Sequence, residues 1–343
     1  MAETPDRPDT AGPPLTTNLA DARLGAAGVW CTDEFFAPLS RMLEPGEPVF
    51  IPDKYDDHGK WMDGWESRRR RGGGHDRSVV RLAAPGEIHA VDIDTRHFTG
   101  NYPPAASLEA CLSDGDPDDG QPGEGADWVA LVPPAALGPD DHHLFPVADR
   151  RTWSHVRLNL LPDGGVARLR VYGRPRPDWN ALATLGELDL ASAVHGAVAI
   201  AWNDAHYGNP GNMLRPDRGR DMGDGWETRR RREPGHDWCI VALAHPGTID
   251  RVVVDTAHFK GNYPDRCSLQ GASLPADTGE LRASVVAQSM FWPVLLDEQP
   301  LQADREHTFA AGAMKDRGPV SHVRLNMIPD GGISRLRLFG TPS

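Results

Sequence analysis

Two tripeptides, Gly74-His75-Asp76 and Gly235-His236-Asp237, place an imidazole beside a carboxylate twice in 343 residues. Imidazole can give or take a proton near neutral pH, so each histidine is a candidate general acid or base. Adjacent residues on a strand face opposite ways, so His and Asp need not touch, and a purely structural role stands beside the catalytic one. Four consecutive arginines precede each tripeptide, Arg68 to Arg71 behind Glu66 and Arg229 to Arg232 behind Glu227. Guanidinium binds carboxylate through a planar fork. In extended chain such a run alternates, sending two arginines into a cleft and two to solvent; a solvated or subunit-contact face explains it as well. Downstream comes Asp-Thr-x-His-Phe-x-Gly-Asn-Tyr-Pro, which supplies Asp94, Thr95, His97 and Asn101, then Asp255, Thr256, His258 and Asn262. Asp and Thr commonly brace loops, and Gly permits a tight bend. A loop that keeps His, Gly and Asn twice is more demanding than bracing requires. Further on, His155, Arg157 and Asn159 share one strand face, which on a sandwich is expected to be solvated. Dispersed His and Asp leave a divalent cation open, but no compact metal-ligand motif is present.

These residues sit in an internal repeat. DGWESRRRR from Asp63 recurs as DGWETRRRR from Asp224, an offset of 161 that holds through DTRHFTGNYP and DTAHFKGNYP to Ser107-Leu108 against Ser268-Leu269. SHVRLNLLPDGGVARLRVYG from Ser154 recurs as SHVRLNMIPDGGISRLRLFG from Ser321 at 167, so the second copy gains six residues, expected in a loop. Three histidine pairs match: His75/His236, His97/His258 and His155/His322. No cysteine faces a cysteine: Cys111 faces Ala272, Cys267 faces Ala106 and Cys31 faces Trp202. That excludes a shared disulfide or thiolate metal site and favours four free thiols. The copies differ at Thr99 against Lys260 and Arg96 against Ala257, so two unequal sites are conceivable.

The expected organisation is a disordered leader over 1–18, a first repeat over 19–174, a proline-rich extended linker over 175–185 and a second repeat over 186–343. A formal charge of −13 argues against a nucleic-acid surface, and no apolar run is long enough for a membrane span. The first residues lack a secretory pattern, which points to the cytoplasm. Period-two alternation and 36 Gly with 31 Pro indicate short strands and turns, an all-β pair of sandwiches or jelly rolls. Pro162-Asp163-Gly164-Gly165 and Pro329-Asp330-Gly331-Gly332 read as hairpin turns. The strands either side of Pro85-Gly86 are expected to pair antiparallel, which would gather His75, Asp76, Asp94, Thr95, His97 and Asn101 at one sheet edge.

Together DGWE[ST]RRRR, GHD, DT-HF-GNYP and SHVRLN-PDGG--RLR--G, each present twice, resemble the allantoicase family over almost the whole chain beyond the leader. The first copy departs at Gly72-Gly73-Gly74 and Arg77, where the second has Glu233-Pro234-Gly235 and Trp238. The resemblance implies a tandem of jelly rolls with galactose-binding-like topology, and a homo-oligomer. It also implies a hydrolase acting on a linear amidine-type carbon–nitrogen bond, releasing urea and ureidoglycolate from allantoate in purine catabolism. For that chemistry Arg229 or Arg231, assisted by Lys260, would bind the carboxylate, and His236 and His258 would do acid/base work. Asp237 or Glu227 would orient a histidine, and Asn262 would hold a ureido group. Arg68, Arg70, His75, Asp76, His97, Asn101 and Glu66 offer the first copy's counterparts. The rival reading is a non-catalytic tandem that binds a small ligand or carbohydrate; matched titratable groups in both copies favour the enzyme. A further alternative keeps the enzyme but makes one copy scaffold only.

Overall fold

The computed structural model describes residues 16–116, 127–275, 282–310 and 312–343. Ala27–Arg81 and Glu87–Arg174 form the body of one compact unit and Pro175–Ser343 that of the other. Each is an antiparallel jelly-roll sandwich built round one long strand, Asp76–Asp94 or Asp237–Asp255.

The long strand folds back on itself. In the second unit Asp237 lies opposite Met327 and Ala242 opposite His322, while Gly247 lies opposite Pro342 and Asp255 opposite Arg335. The partners, Val320–Ile328 and Arg335–Pro342, run out and back through Pro329-Asp330-Gly331-Gly332. The long strand must therefore reverse near Pro246-Gly247, which returns Asp255 to the end where Asp237 began. One arm lies between Val198–Trp202 and Val320–Ile328, and the sheet continues through Arg266–Ala272 to Val294–Pro300. The other arm lies between Arg335–Pro342 and Glu306–Phe309.

Two expectations change here. The arms meet at one end as anticipated, but they do not pair with each other. Likewise the strands flanking each Pro-Asp-Gly-Gly are not a hairpin, because an arm of the long strand stands between them in the strand order. Alternation and turn residues were correctly read, but they cannot distinguish a turn within a sheet from one that crosses between faces. The boundaries shift too. Thr17–Asn18 pairs with Tyr172 and Gly173, so residues 17 and 18 belong to the fold, while 1–15 lie outside the described residues. The linker is not extended throughout: Asp178 caps a helical turn over Trp179–Ala183 through the backbone N–H groups of Asn180 and Ala181. The added residues of the second copy enter in two places, since Ala136 corresponds to Pro300 at an offset of 164.

Val323, Leu325 and Met327 point into the second core with Cys239, Val241, Val252 and Leu269. His322, Arg324 and Asn326 alternate onto the outer face, and all three are buried there. The expected solvated face is thus covered in the second unit, with the helix Arg282–Ser289 and Trp292 among its cover. In the first unit His155 and Asn159 are buried as well. The four cysteines are free, and burial pushes the Cys111 thiol up to about 11. No helix among the described residues is long and apolar enough to cross a membrane.

Burial lowers the imidazole of His322 to about 4. The unfolded chain takes up that proton near pH 6.5 and the folded chain only near 4, so stability is present above 6.5 and is lost as pH falls between the two. The loss amounts to about 3 kcal/mol. His322→Gln should flatten the fall between pH 7 and pH 4.5 in urea unfolding; an equally steep fall in the variant would assign the acid lability elsewhere.

Candidate active site

The Gly-His-Asp step stands where the long strand begins, and alternation sends its two side chains to different places. Asp76 turns inward and is 2 % exposed, Asp237 1 %. Asp76 accepts from Arg70 Nη2 at 2.8 Å and Thr32 Oγ1 at 2.9 Å. Asp237 accepts from Arg231 Nη1 at 2.8 Å and Asn203 Nδ2 at 2.7 Å. The histidines turn to the outer face. His75 Nε2 meets Asn159 Oδ1 at 3.2 Å, and His236 Nε2 meets Asn326 Oδ1 at 3.2 Å. The sequence assigned Asp237 or Glu227, or their counterparts, to orient the histidines; an asparagine does so instead.

The asparagine also fixes the tautomer. Asn326 Oδ1 accepts from Arg324 Nε at 2.9 Å, while its Nδ2 donates to Ser268 Oγ and Gln270 Oε1. The oxygen that faces His236 is therefore an acceptor, so His236 Nε2 carries the proton. In the neutral ring Nδ1 then holds the lone pair, and it has no partner among the described residues. Asn159 repeats this with Ser107 and Glu109 as its Nδ2 acceptors.

The arginine runs contribute one inward side chain per copy rather than two. Arg70 and Arg231 are partly buried on their aspartates, while the other three of each run are exposed. Arg68 is held at 2.6 Å by Asp33, and Arg229 at 2.9 Å by Asp204. Lys260 is exposed and 4.0 Å from Asp304, sharing no described partner with Arg229 or Arg231. Asn101 Nδ2 donates to Glu66 Oε1 at 2.6 Å, and Asn262 bonds Glu227 in the same way. His97 and His258 sit at φ of 69° and 73°, with Nε2 donating to the carbonyls of Pro48 and Gly219. Their backbone N–H groups donate to Asp140 and Asp304 at 2.7 Å. These bonds make them loop braces, and they touch none of the groups that hold His75 and His236.

Sequence reading placed Asn159, Arg157 and their counterparts on a solvated face and so left them out of the site. The signal was present: SHVRLN and the serines at 107 and 268 recur in both copies.

Among the described residues one set could surround a cation: Glu47, Asp94 and His142. Arg96 bonds both carboxylates, and Arg170 reaches Asp94 at 3.2 Å and Glu47 at 3.3 Å. Burial alone would raise the Asp94 carboxyl, yet its bonds from Arg96 keep it below the usual range. Two guanidiniums already neutralise the set, and the second copy replaces His142 with Glu306. These residues do not fit a resident metal.

The sequence matches the allantoicase repeat description twice, over residues 17–176 and 188–343. The chain belongs to the allantoicase family. It is 59% identical over 325 residues to probable allantoicase 2 of Burkholderia pseudomallei, covering 94% of each chain. It is 55% identical over 326 residues to a probable allantoicase of Pseudomonas aeruginosa, covering 95% of this chain and 96% of that one. The crystal structure of allantoicase from Saccharomyces cerevisiae matches at a TM-score of 0.78 and 34% identity, over 95% of this chain and 93% of that chain. The family resemblance read from the paired motifs is thereby borne out.

Glu66 is buried with no cation bonded to it among the described residues, and burial raises its carboxyl despite the Asn101 bond. Its folded form therefore holds the proton more tightly than the unfolded chain, so stability is lost as pH rises past the unfolded value. Glu66→Gln should gain on the natural chain between pH 4 and pH 7 in chemical unfolding. A gap that does not widen with pH would mean that Glu66 carries no burial penalty.

Proposed function

We propose that this chain hydrolyses allantoate to ureidoglycolate and urea, the activity that membership of the allantoicase family carries, with the Gly-His-Asp imidazole, His236 or its first-copy counterpart His75, as the proton-transferring group. The observation that supports the role is the outward imidazole whose Nε2–H is committed to Asn326 or Asn159, leaving Nδ1 directed away from that bond and unpartnered among the described residues.

Allantoate carries a carboxylate and two ureido groups on one carbon. Breaking one carbon–nitrogen bond requires a proton on the departing nitrogen, while the lone pair of the remaining ureido nitrogen forms an imine-like bond to the carbon. Imidazolium supplies that proton from Nδ1, and urea leaves. The neutral ring then takes a proton from water at the same atom as the oxygen adds to the carbon, which restores the imidazolium. One ring thus serves as acid and then as base, and the asparagine keeps the reacting nitrogen fixed throughout. Asn262 and Asn101, anchored on Glu227 and Glu66, are the proposed amide-directed contacts. His258 and His97 serve in this scheme as braces of the loop that presents those asparagines.

The binding-only alternative gains no specific observation. Four free thiols suit a reducing compartment, so cytoplasm is the proposed location. Assembly as a homo-oligomer is proposed from the family resemblance.

Replacing both His75 and His236 by Ala should leave the fold intact and reduce kcat about 100-fold or more, measured as urea released from allantoate. Turnover within twofold of the natural chain would remove both rings from the mechanism. A chelator should leave the rate unchanged, since the one described His–carboxylate set is already filled by Arg96 and Arg170.

A further inference from the structure

Four arginines are buried among the described residues, and three of them, Arg168, Arg170 and Arg335, each bond a carboxylate. Arg324 does not. It is 5 % exposed, donates to Asn326 Oδ1 at 2.9 Å and Ser289 Oγ at 2.7 Å, and lies over the Trp238 ring at 4.4 Å. Every one of these partners is neutral. Burial lowers the guanidinium, with no anion opposing it among the described residues, and an uncompensated buried charge is costly. Its Nη2 makes no hydrogen bond with the described residues and is not among the atoms sealed from solvent.

The first copy shows what has been withheld. There the equivalent Arg157 lies opposite Glu109 in the strand register and bonds it at 2.7 Å. In the second copy the residue opposite Arg324 is Gln270. Gln270 turns away from the cation: its Oε1 accepts from Asn326, and its Nε2 donates to the Trp292 carbonyl at 2.9 Å. The first copy thus holds an internal carboxylate where the second has a guanidinium with no carboxylate partner among the described residues. That guanidinium lies close to the proposed proton-transfer group, because Arg324 Nε and His236 Nε2 bond the same oxygen and so stand within about 6 Å of each other.

We infer that Arg324 is the carboxylate-binding residue of the second copy, taking an anion with a ureido substituent, and that Glu109 fills the equivalent position in the first copy and closes it to such a ligand. The inference rests on the allantoate reading for the identity of the ligand, but the anion site itself does not. It also assigns the two copies unequal tasks: the second binds substrate, and the first retains the scaffold with its cation already neutralised. Arg229 and Arg231, nominated from sequence for the carboxylate, are each occupied by an aspartate.

Gln270→Glu installs in the second copy the carboxylate that the first already has. With allantoate, KM should rise at least tenfold with a smaller change in kcat, and the melting temperature should stay level or rise as the buried guanidinium gains a counter-charge. Arg324→Lys keeps a cation but loses the fork, and should raise KM in the same direction. Calorimetry with N-carbamoylglycine, which has one carboxylate and one ureido group and needs no turnover, should show binding to the natural chain and at least tenfold weaker binding to both variants. A KM within twofold of the natural value in both variants, or equal N-carbamoylglycine binding, overturns the inference while leaving the activity standing. A natural chain that releases no urea defeats the functional reading instead. In that case loss of N-carbamoylglycine binding in Gln270→Glu still supports the anion site, and absence of binding to the natural chain overturns it.

Discussion

Each site depends on a contact that only glycine permits. A Cβ on Gly165 would stand 2.0 Å from the Phe98 ring, and one on Gly332 would stand 2.0 Å from Phe259. The preceding glycines, at φ of 142° and 137°, press against the backbone of Asn101 to Pro103 and of Asn262 to Pro264. The Pro-Asp-Gly-Gly turn is therefore wedged under the loop that carries His97 and Asn101. Its other surfaces are also engaged: Asp163 accepts from the Arg70 backbone, Gly164 exchanges bonds with Ser67, and Pro162 accepts from the Asp76 backbone. One turn thus ties the arginine run, the Gly-His-Asp step and the Asn-Tyr-Pro loop to one end of the sandwich. Any side chain at the second glycine must displace an aromatic ring that is fully buried, so the wedge sets the position of all three motifs together.

From that end the chain distributes chemistry by simple alternation. The strand period of two sends Asp237 inward to Arg231 and His236 outward to Asn326. A carboxylate fixed by guanidinium inside and an imidazole fixed by an amide outside are different devices. The first ties the arginine run to the strand start; the second holds a ring in one tautomer without holding its charge. An asparagine suits the latter task because it orients the ring while adding no net charge beside it, whereas a carboxylate would hold the imidazolium and oppose its giving up the proton.

This division explains what could be read from sequence. The repeat, the strand period and the meeting of the two ends of the long strand were legible because they depend on spacing alone. The pairing of strands was not. Val156, Leu158 and Leu160 alternate identically whether the following turn stays in one sheet or crosses to the other. Burial of the outer face was also hidden, since Arg157 and Arg324 both look like solvated residues until Trp128 is placed against the first and the helix Arg282–Ser289 beside the second. The partners of Asp237 and His236 follow from the same layering, and so the adjacent pair suggested a coupling that alternation forbids.

The two copies show which constraints duplication leaves free. Trp65 and Trp226 both donate to a backbone carbonyl at 2.9 Å, from Asp33 and Asp204 respectively. Asp63 with Arg168 and Asp224 with Arg335 repeat the same buried ion pair. These contacts hold backbone in place, and losing either partner strands a buried polar group. Positions at which the copies diverge include changes of charge: Glu109 against Gln270, Arg77 against Trp238, Thr99 against Lys260. A scaffold with its geometry fixed by glycine contacts and buried pairs can change the electrostatics of one face at small structural cost. Duplication therefore permits one copy to hold a guanidinium on neutral partners among the described residues while the other pairs the equivalent guanidinium with a carboxylate from within.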